Sequence, residues 1–305
     1  QDIEERVAAR STTRKTNGSA PAAGQNEQLY ESEDAARLRR EAIAPIDWVV
    51  PAVLPAGSIA SLAGQSNVGK TRFMCAFAML GAAGKLELMG WPTCPAFTTL
   101  VIANEEHLSD LKRRMKAVVL QHGIRKSRDV IVRGKTAGMM RLVALNEVGQ
   151  PEIDEEAVAQ LVRVARASKA KALCLDPYST LSDAMDENSS ISASALTKVF
   201  LLLVQLTGMA VFFFHHTPKD RSRDNDWYRA DSSAWRGSSG IYGGLDCGYT
   251  LSNWIPRDKA ARKHWREAWI RLKLGRWIVL DTGKLREGEA LPPIIYELVG
   301  QEMAP

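Results

Sequence analysis

Ser58–Thr71, SIASLAGQSNVGKT, decides how the rest of the chain is read. Ser58 to Ala63 is an apolar run of strand length. It feeds a glycine-rich turn, and Thr71 to Ala83, rich in Ala, Met and Phe, reads as a helix beyond that turn. Gly64, four residues, then Gly69-Lys70-Thr71 is the spacing of a phosphate-binding loop. Glycines let successive backbone N–H groups curl round phosphate oxygens, and the helix N-terminus aims its positive end at the same place. Gly64, Gln65, Ser66, Asn67, Val68, Gly69, Lys70, Thr71 and Arg72 form the expected nucleotide cradle. In it Lys70 bridges the β- and γ-phosphates of ATP, and the Thr71 hydroxyl binds Mg²⁺.

Outward from this loop, strand and helix signals alternate. Thr98 to Ala103, Val130 to Arg133, Ala172 to Leu175 and Ala210 to Phe214 are short apolar runs of strand type. Leu108 to His122, Glu155 to Ser168 and Ser192 to Leu206 carry helical periodicity. Strands apolar on both faces, separated by helices, predict an α/β fold with a mainly parallel sheet covered by helices. After His216 the rhythm changes. Thr217 to Trp235 reads as a long polar loop, followed by strands at Gly248 to Ser252, Glu267 to Leu274 and Arg276 to Asp281. The last two are expected to form a hairpin turning near Gly275.

A phosphate loop needs a carboxylate at a neighbouring strand end to organise Mg²⁺, and the apolar run Lys171 to Asp176 supplies Asp176. Hydrolysis also needs a group that orients and polarises water. Thr98 to Ala103 ends in Asn104-Glu105-Glu106, taken as the strand beside the loop strand, and Glu105 is the expected base with Glu106 its neighbour. His215-His216 follow the strand Val211 to Phe214, at the carboxyl edge where ligands bind in such sheets. A histidine there can sense the γ-phosphate.

The order of these pieces resembles a known family. The loop strand, the Glu105 strand, Asp176 followed by Asp186-Glu187-Asn188-Ser189, His215-His216-x-x-Lys219, and Arg236-Gly237-Ser238-Ser239 look like the RecA-like ATPases of the plasmid RepA-type hexameric replicative helicases. The resemblance runs from about Ile46 to Leu280. It implies a RecA-like P-loop core with ATP and Mg²⁺ as cofactors, and roles for Lys70, Thr71, Glu105, Asp176 and His216 as above. It also implies hexameric rings with ATP between subunits, translocation on single-stranded DNA, and pore loops at Tyr178 to Ser190 and Thr217 to Trp235. One departure stands out: the family's arginine finger would fall near Asp246, and an acid cannot stabilise phosphate charge. Arg236, Lys273 or Arg276 are the alternatives; the rival readings are an ATP-dependent switch or scaffold that binds DNA or protein without unwinding, and a recombinase-like filament ATPase.

The remaining composition limits the other classes. Residues 1–30 are polar and aperiodic and read as a flexible arm, residues 31–45 as a helix that docks on a neighbouring subunit, and residues 46–305 as the ATPase domain. The net charge of +5 permits a nucleic-acid partner without requiring one. Arg257 to Arg276 holds eight Lys or Arg against two acids, with Trp265 and Trp269 interleaved. That mixture suits a phosphate backbone with stacked bases, and also an ordinary solvated hairpin face. The four cysteines are dispersed, which argues against a disulfide framework or a zinc site. No apolar run reaches transmembrane length, no signal peptide is visible, and a cytoplasmic protein is expected.

Overall fold

The computed structural model describes residues 39–42, 44–183, 190–217, 239–253, 276–287 and 289–298. The chain divides into two compact units, Gln1–Asp47 and Trp48–Pro305. The arm lies outside the described residues. Of the helix expected over Glu31 to Ala44, the described residues Arg39 to Ala42 form a turn and a bend. Pro45 disfavours the helical region for the residue before it, so helix is least stable at this end.

In the second unit an eight-stranded sheet forms from β3 (Ile59–Gly64), β4 (Thr99–Ala103), β5 (Val130–Gly134), β8 (Ala172–Asp176), β9 (Ala210–His216), β10 (Cys247–Asn253), β11 (Arg276–Leu285) and β12 (Ile294–Leu298). Its order is β12-β11-β10-β3-β9-β8-β4-β5. Every pairing from β10 to β5 is parallel, while β11 is antiparallel to both β10 and β12. Two small antiparallel pairs sit outside this sheet: β1 (Trp48–Val50) with β2 (Leu54–Pro55), and β6 (Val143–Leu145) with β7 (Pro151–Ile153). The C-terminal antiparallel element is therefore present, but with other partners than expected. Both edges of β11 are taken, by β10 and β12, and Glu267 to Leu274 lies outside the described residues.

The order also corrects one sequence expectation. The strand that carries Glu105, β4, does not adjoin the loop strand β3, because β9 and β8 lie between them. The strands next to β3 are β10 on one side and, on the side towards β4, β9, which ends in the histidines. Its run of phenylalanines explains why it is central: Val211 to Phe214 are buried on both faces.

Period-two alternation along β9 divides the core. Phe212 meets Phe77 of helix α1 (Lys70–Ala83) edge-on at 5.6 Å. Phe213 meets Phe200 of helix α4 (Ser190–Thr207) at 5.2 Å on the other face. Helix α2 (Leu108–Gln121) packs beside α1, and α3 (Glu155–Ser168) beside α4, so helices cover both faces. A short helix α5 (Ser239–Gly244) packs on α4. Helix α1 is buried nearly all round, with Phe73, Met74, Cys75, Phe77, Ala78 and Leu80 in the core, which holds its N-terminus rigidly beneath the glycine loop.

Candidate active site

The parallel register brings the carboxyl ends of β3, β9, β8 and β4 to one edge. Gly64 pairs with His216, and Ala103 with Asp176. At that edge lies a cavity of about 640 Å³. It is lined by Ser66, Asn67, Gly69, Lys70, Thr71 and Arg72 from the loop and the start of α1, by Asp176 and His216 at the ends of β8 and β9, and by Glu105, Glu106 and Arg114.

The loop has the backbone its sequence demands. Gly69 precedes α1 with φ 109°, where a side chain is strained, and Asn67 takes φ 63°, which asparagine tolerates better than most residues. At Gly64 the reason is space: a Cβ would stand 2.6 Å from the Leu251 carbonyl oxygen and 2.9 Å from Val68 Cγ1. Among the described residues no side chain caps the helix N-terminus, which leaves its N–H groups for an anion. Val68 is fully buried in the core and does not line the cavity, and Gln65 contributes its carbonyl rather than its side chain.

Lys70 is held by three acceptors: the carbonyls of Gly64 at 2.8 Å and Gln65 at 3.0 Å, and His216 Nδ1 at 3.1 Å. Burial lowers its pKa to about 8, opposed by the charges of Asp176 and Glu105. Because the ammonium has no lone pair, Nδ1 of His216 must be the acceptor, which leaves the ring proton on Nε2. Burial and the nearby Lys70 charge push His216 down to about 4, so the ring is neutral at pH 7.

The two histidines separate by the same alternation that divides the phenylalanines. His215 is buried against the Tyr178 ring at 5.4 Å, on the face away from the loop, and is packing rather than site. Only His216 reaches the cavity.

Asp176 accepts the Thr71 hydroxyl at 2.7 Å. Burial raises its pKa to about 6, although the Thr71 hydrogen bond and Lys70 pull it down. A buried carboxylate disfavoured as an anion, with a hydroxyl oxygen beside it, is a donor set that fits a hard divalent cation such as Mg²⁺. Among the described residues no group of three or more His, Cys, Asp or Glu is placed to hold a metal. An Mg²⁺ ion at Thr71 and Asp176 would take its other ligands from phosphate oxygens and water.

Glu105 is exposed and faces the cavity, and among the described residues no hydrogen bond or ion pair engages it. Glu106 is engaged, by Arg114 at 2.8 Å. Arg114, in the basic run Lys112-Arg113-Arg114 of α2, is a cavity residue that the sequence analysis did not single out. The signal was present: Leu111, Arg114, Met115 and Val118 follow the spacing of the buried stripe of α2, and an arginine in that stripe needs an anion.

Asp246, where a finger was expected, lies at the far end of β3. Its Oδ2 accepts the Ile59 N–H at 2.8 Å, Oδ1 pairs with Arg286 at 3.1 Å, and its own N–H donates to the Ile59 carbonyl at 2.8 Å. It brackets the start of the sheet. Arg236 and Lys273 lie outside the described residues, as does the side chain of Arg276. So do most of the expected pore loops, but Tyr178 and Leu181 are buried and do not face solvent.

A glycine loop capping a buried helix, a strand with a polar tip inserted between the loop strand and the strand ending in Asp176, and a glutamate facing the same cavity define a P-loop ATPase. Residues 25–222 match the model of the AAA domain, and the chain belongs to that family of nucleotide-binding ATPases. Among curated proteins none matches the chain. No helix among the described residues is long and apolar enough to cross a membrane.

Proposed function

We propose that the protein hydrolyses ATP with Mg²⁺ in a ring-forming, RecA-like motor that acts on single-stranded DNA, serving replication of a plasmid, phage or other mobile element. The observation that carries hydrolysis is the convergence of Lys70, the Thr71–Asp176 pair, Glu105 and His216 on one cavity. Lys70 exchanges its loop carbonyls for phosphate oxygens. Mg²⁺, when bound, supplies charge neutralisation at those oxygens. Glu105 orients the attacking water and takes its proton. His216 presents Nε2–H towards the γ-phosphate and can report its presence through β9. Arg72 and Arg114 stand between the phosphate cavity and an apolar groove of about 350 Å³ that includes Phe73, Val118 and Tyr296, and this groove takes the base.

Glu105→Gln tests the chemistry. ATP binding is retained, and turnover falls by about 10²–10³-fold. Normal turnover would move the base role to Glu106.

The motor part of the reading is supported by motif order, from Asp176 through His215-His216 to Arg236-Gly237-Ser238-Ser239. Its tests are ring assembly by sizing in ATP and Mg²⁺, and strand displacement with Lys70→Ala as the inactive control. Monomer at high protein concentration would end the ring reading. Asp246 favours a second reading, an ATP-dependent switch that binds DNA or protein without unwinding it, because that side chain is committed to Ile59 and Arg286. ATPase activity stimulated by single-stranded DNA, together with unwinding, would exclude the switch.

A further inference from the structure

Asn104, the residue after β4, is 2% exposed, and its side chain makes an unusual set of bonds for a residue outside the cavity wall. Its amide nitrogen donates to the Met140 carbonyl at 2.9 Å, and its amide oxygen accepts the Met140 N–H at 2.9 Å. The same nitrogen reaches the Thr180 hydroxyl at 3.0 Å, and that hydroxyl donates to the Pro177 carbonyl at 2.9 Å. The Asn104 backbone N–H donates to the Asp176 carbonyl at 2.9 Å and extends the β4–β8 ladder by one rung. One amide group thus joins three segments: the end of β4, the approach to β6, and the turn Tyr178–Leu181 that follows Asp176. The second and third are tied to each other as well, by Leu142 N–H to the Leu181 carbonyl at 2.8 Å and Asp183 N–H to the Val143 carbonyl at 3.0 Å.

The other flank of Glu105 is fixed just as firmly. The Glu106 carbonyl accepts the Lys135 N–H at 2.9 Å, and its carboxylate pairs with Arg114. Strand β5 can come this close because it ends in Gly134, where a Cβ would lie 2.9 Å from the Glu106 carbonyl oxygen and 2.8 Å from the Leu108 nitrogen. Residues 104 and 106 are pinned, and between them the Glu105 side chain stands exposed towards the cavity.

We infer that Asn104 is a positioning residue: its amide fixes the backbone of Glu105 relative to Asp176 and ties the direction of the Glu105 carboxylate to the turn Tyr178–Leu181. The inference rests on the reading of Glu105 as the base. Asparagine suits the task because the pairing with Met140 needs a donor and an acceptor in one plane. Aspartate would set a charge against the Met140 carbonyl, and alanine would leave both Met140 groups without this partner. Displacing a catalytic group by about 1 Å can cost on the order of 10²-fold in rate, so small backbone shifts here suffice.

The test uses the full chain with ATP and Mg²⁺, reading turnover, nucleotide affinity and hydrogen exchange at the Met140 amide. Asn104→Ala should lower kcat by about tenfold or more, keep ATP affinity within about threefold, and speed exchange at Met140. Since Asn104 acts through Glu105, Asn104→Ala combined with Glu105→Gln should be no slower than Glu105→Gln alone, whereas independent structural damage would multiply. Thr180→Val, which keeps the Met140 pairing, should lower kcat by roughly two- to fivefold. If Asn104→Ala does not fold, Thr180→Val alone and with Glu105→Gln makes the same comparison. Wild-type kcat in both Asn104→Ala and Thr180→Val, or losses that only follow loss of ATP binding, would overturn the inference. If the wild type hydrolyses ATP and Glu105→Gln does not, such a result removes the Asn104 assignment alone. If Glu105→Gln turns over normally, the reading of the base falls first.

Discussion

Two aspartates mark the two ends of the loop strand. Asp176 stands at the carboxyl edge, in the next strand but one from β3, and Asp246 brackets the amino end of β3, about 17 Å away along the strand. Asp246 has both oxygens committed, one to a backbone N–H and one to Arg286. Among the described residues Asp176 accepts one side-chain hydroxyl; it lines the open cavity, and burial pushes its pKa up to about 6. The same side chain has its bonds completed by the fold at Asp246 and is left open to the cavity at Asp176, where the proposed Mg²⁺ would supply the missing charge.

The largest effect that could break this contrast concerns Lys70, the cation nearest Asp176. Lys70→Ala should lower ATP turnover by on the order of 10³-fold or more, measured by phosphate release. Turnover within tenfold of wild type would mean that the cavity is not the hydrolytic site.

Replacing each aspartate sharpens the contrast, because the two changes should have opposite signs on stability. The Asp176 carboxyl is raised from 3.8 to about 6 in the folded chain. The folded state then holds the proton more tightly than the unfolded one, so stability falls as pH rises from about 4 to about 6, and the deficit is complete above that. Asp176→Asn should therefore stabilise the nucleotide-free protein by roughly 1–3 kcal/mol at pH 7.5, an advantage that fades as pH falls towards 4, while abolishing Mg²⁺-dependent turnover. Thermal melts across that range measure it. Asp246→Ala should instead destabilise by about 1–3 kcal/mol, since the Ile59 N–H loses its partner, with kcat within about twofold for the folded fraction. A kcat loss beyond the folded fraction would give Asp246 a part in the chemistry.

The smallest effect is expected at Arg286. Its guanidinium is half exposed, and its ion pair with Asp246 is screened, so Arg286→Ala should cost less than about 1 kcal/mol by denaturant melt. A larger cost would show that the bracket depends on the ion pair more than on the bond to Ile59.

Much of the site was legible in the chain. Gly64, Gly69, Lys70 and Thr71 announce a phosphate loop by spacing alone, because the chemistry requires backbone N–H groups, a cation and a hydroxyl within one turn. Asp176 follows from an apolar strand that ends in an acid. The apolar runs and helical periods also gave the α/β class, since burial on both faces requires helices on both sides of the sheet. Strand order was not legible. Nothing local says that β9 inserts beside β3 while β4 lies beyond β8, because parallel strands pair through long crossovers whose neighbours are chosen by packing of the whole core. That choice sets His216 beside the end of the glycine-loop strand, brings Arg114 into the cavity, and makes Asn104 a junction of three segments. It also sends Asp246 to the opposite end of β3 from the glycine loop. Sequence alone determined which groups can meet a phosphate, through local backbone chemistry. Tertiary structure decided which of them face the same cavity and which are consumed in holding it, because that depends on register and strand order set by contacts distant in the chain.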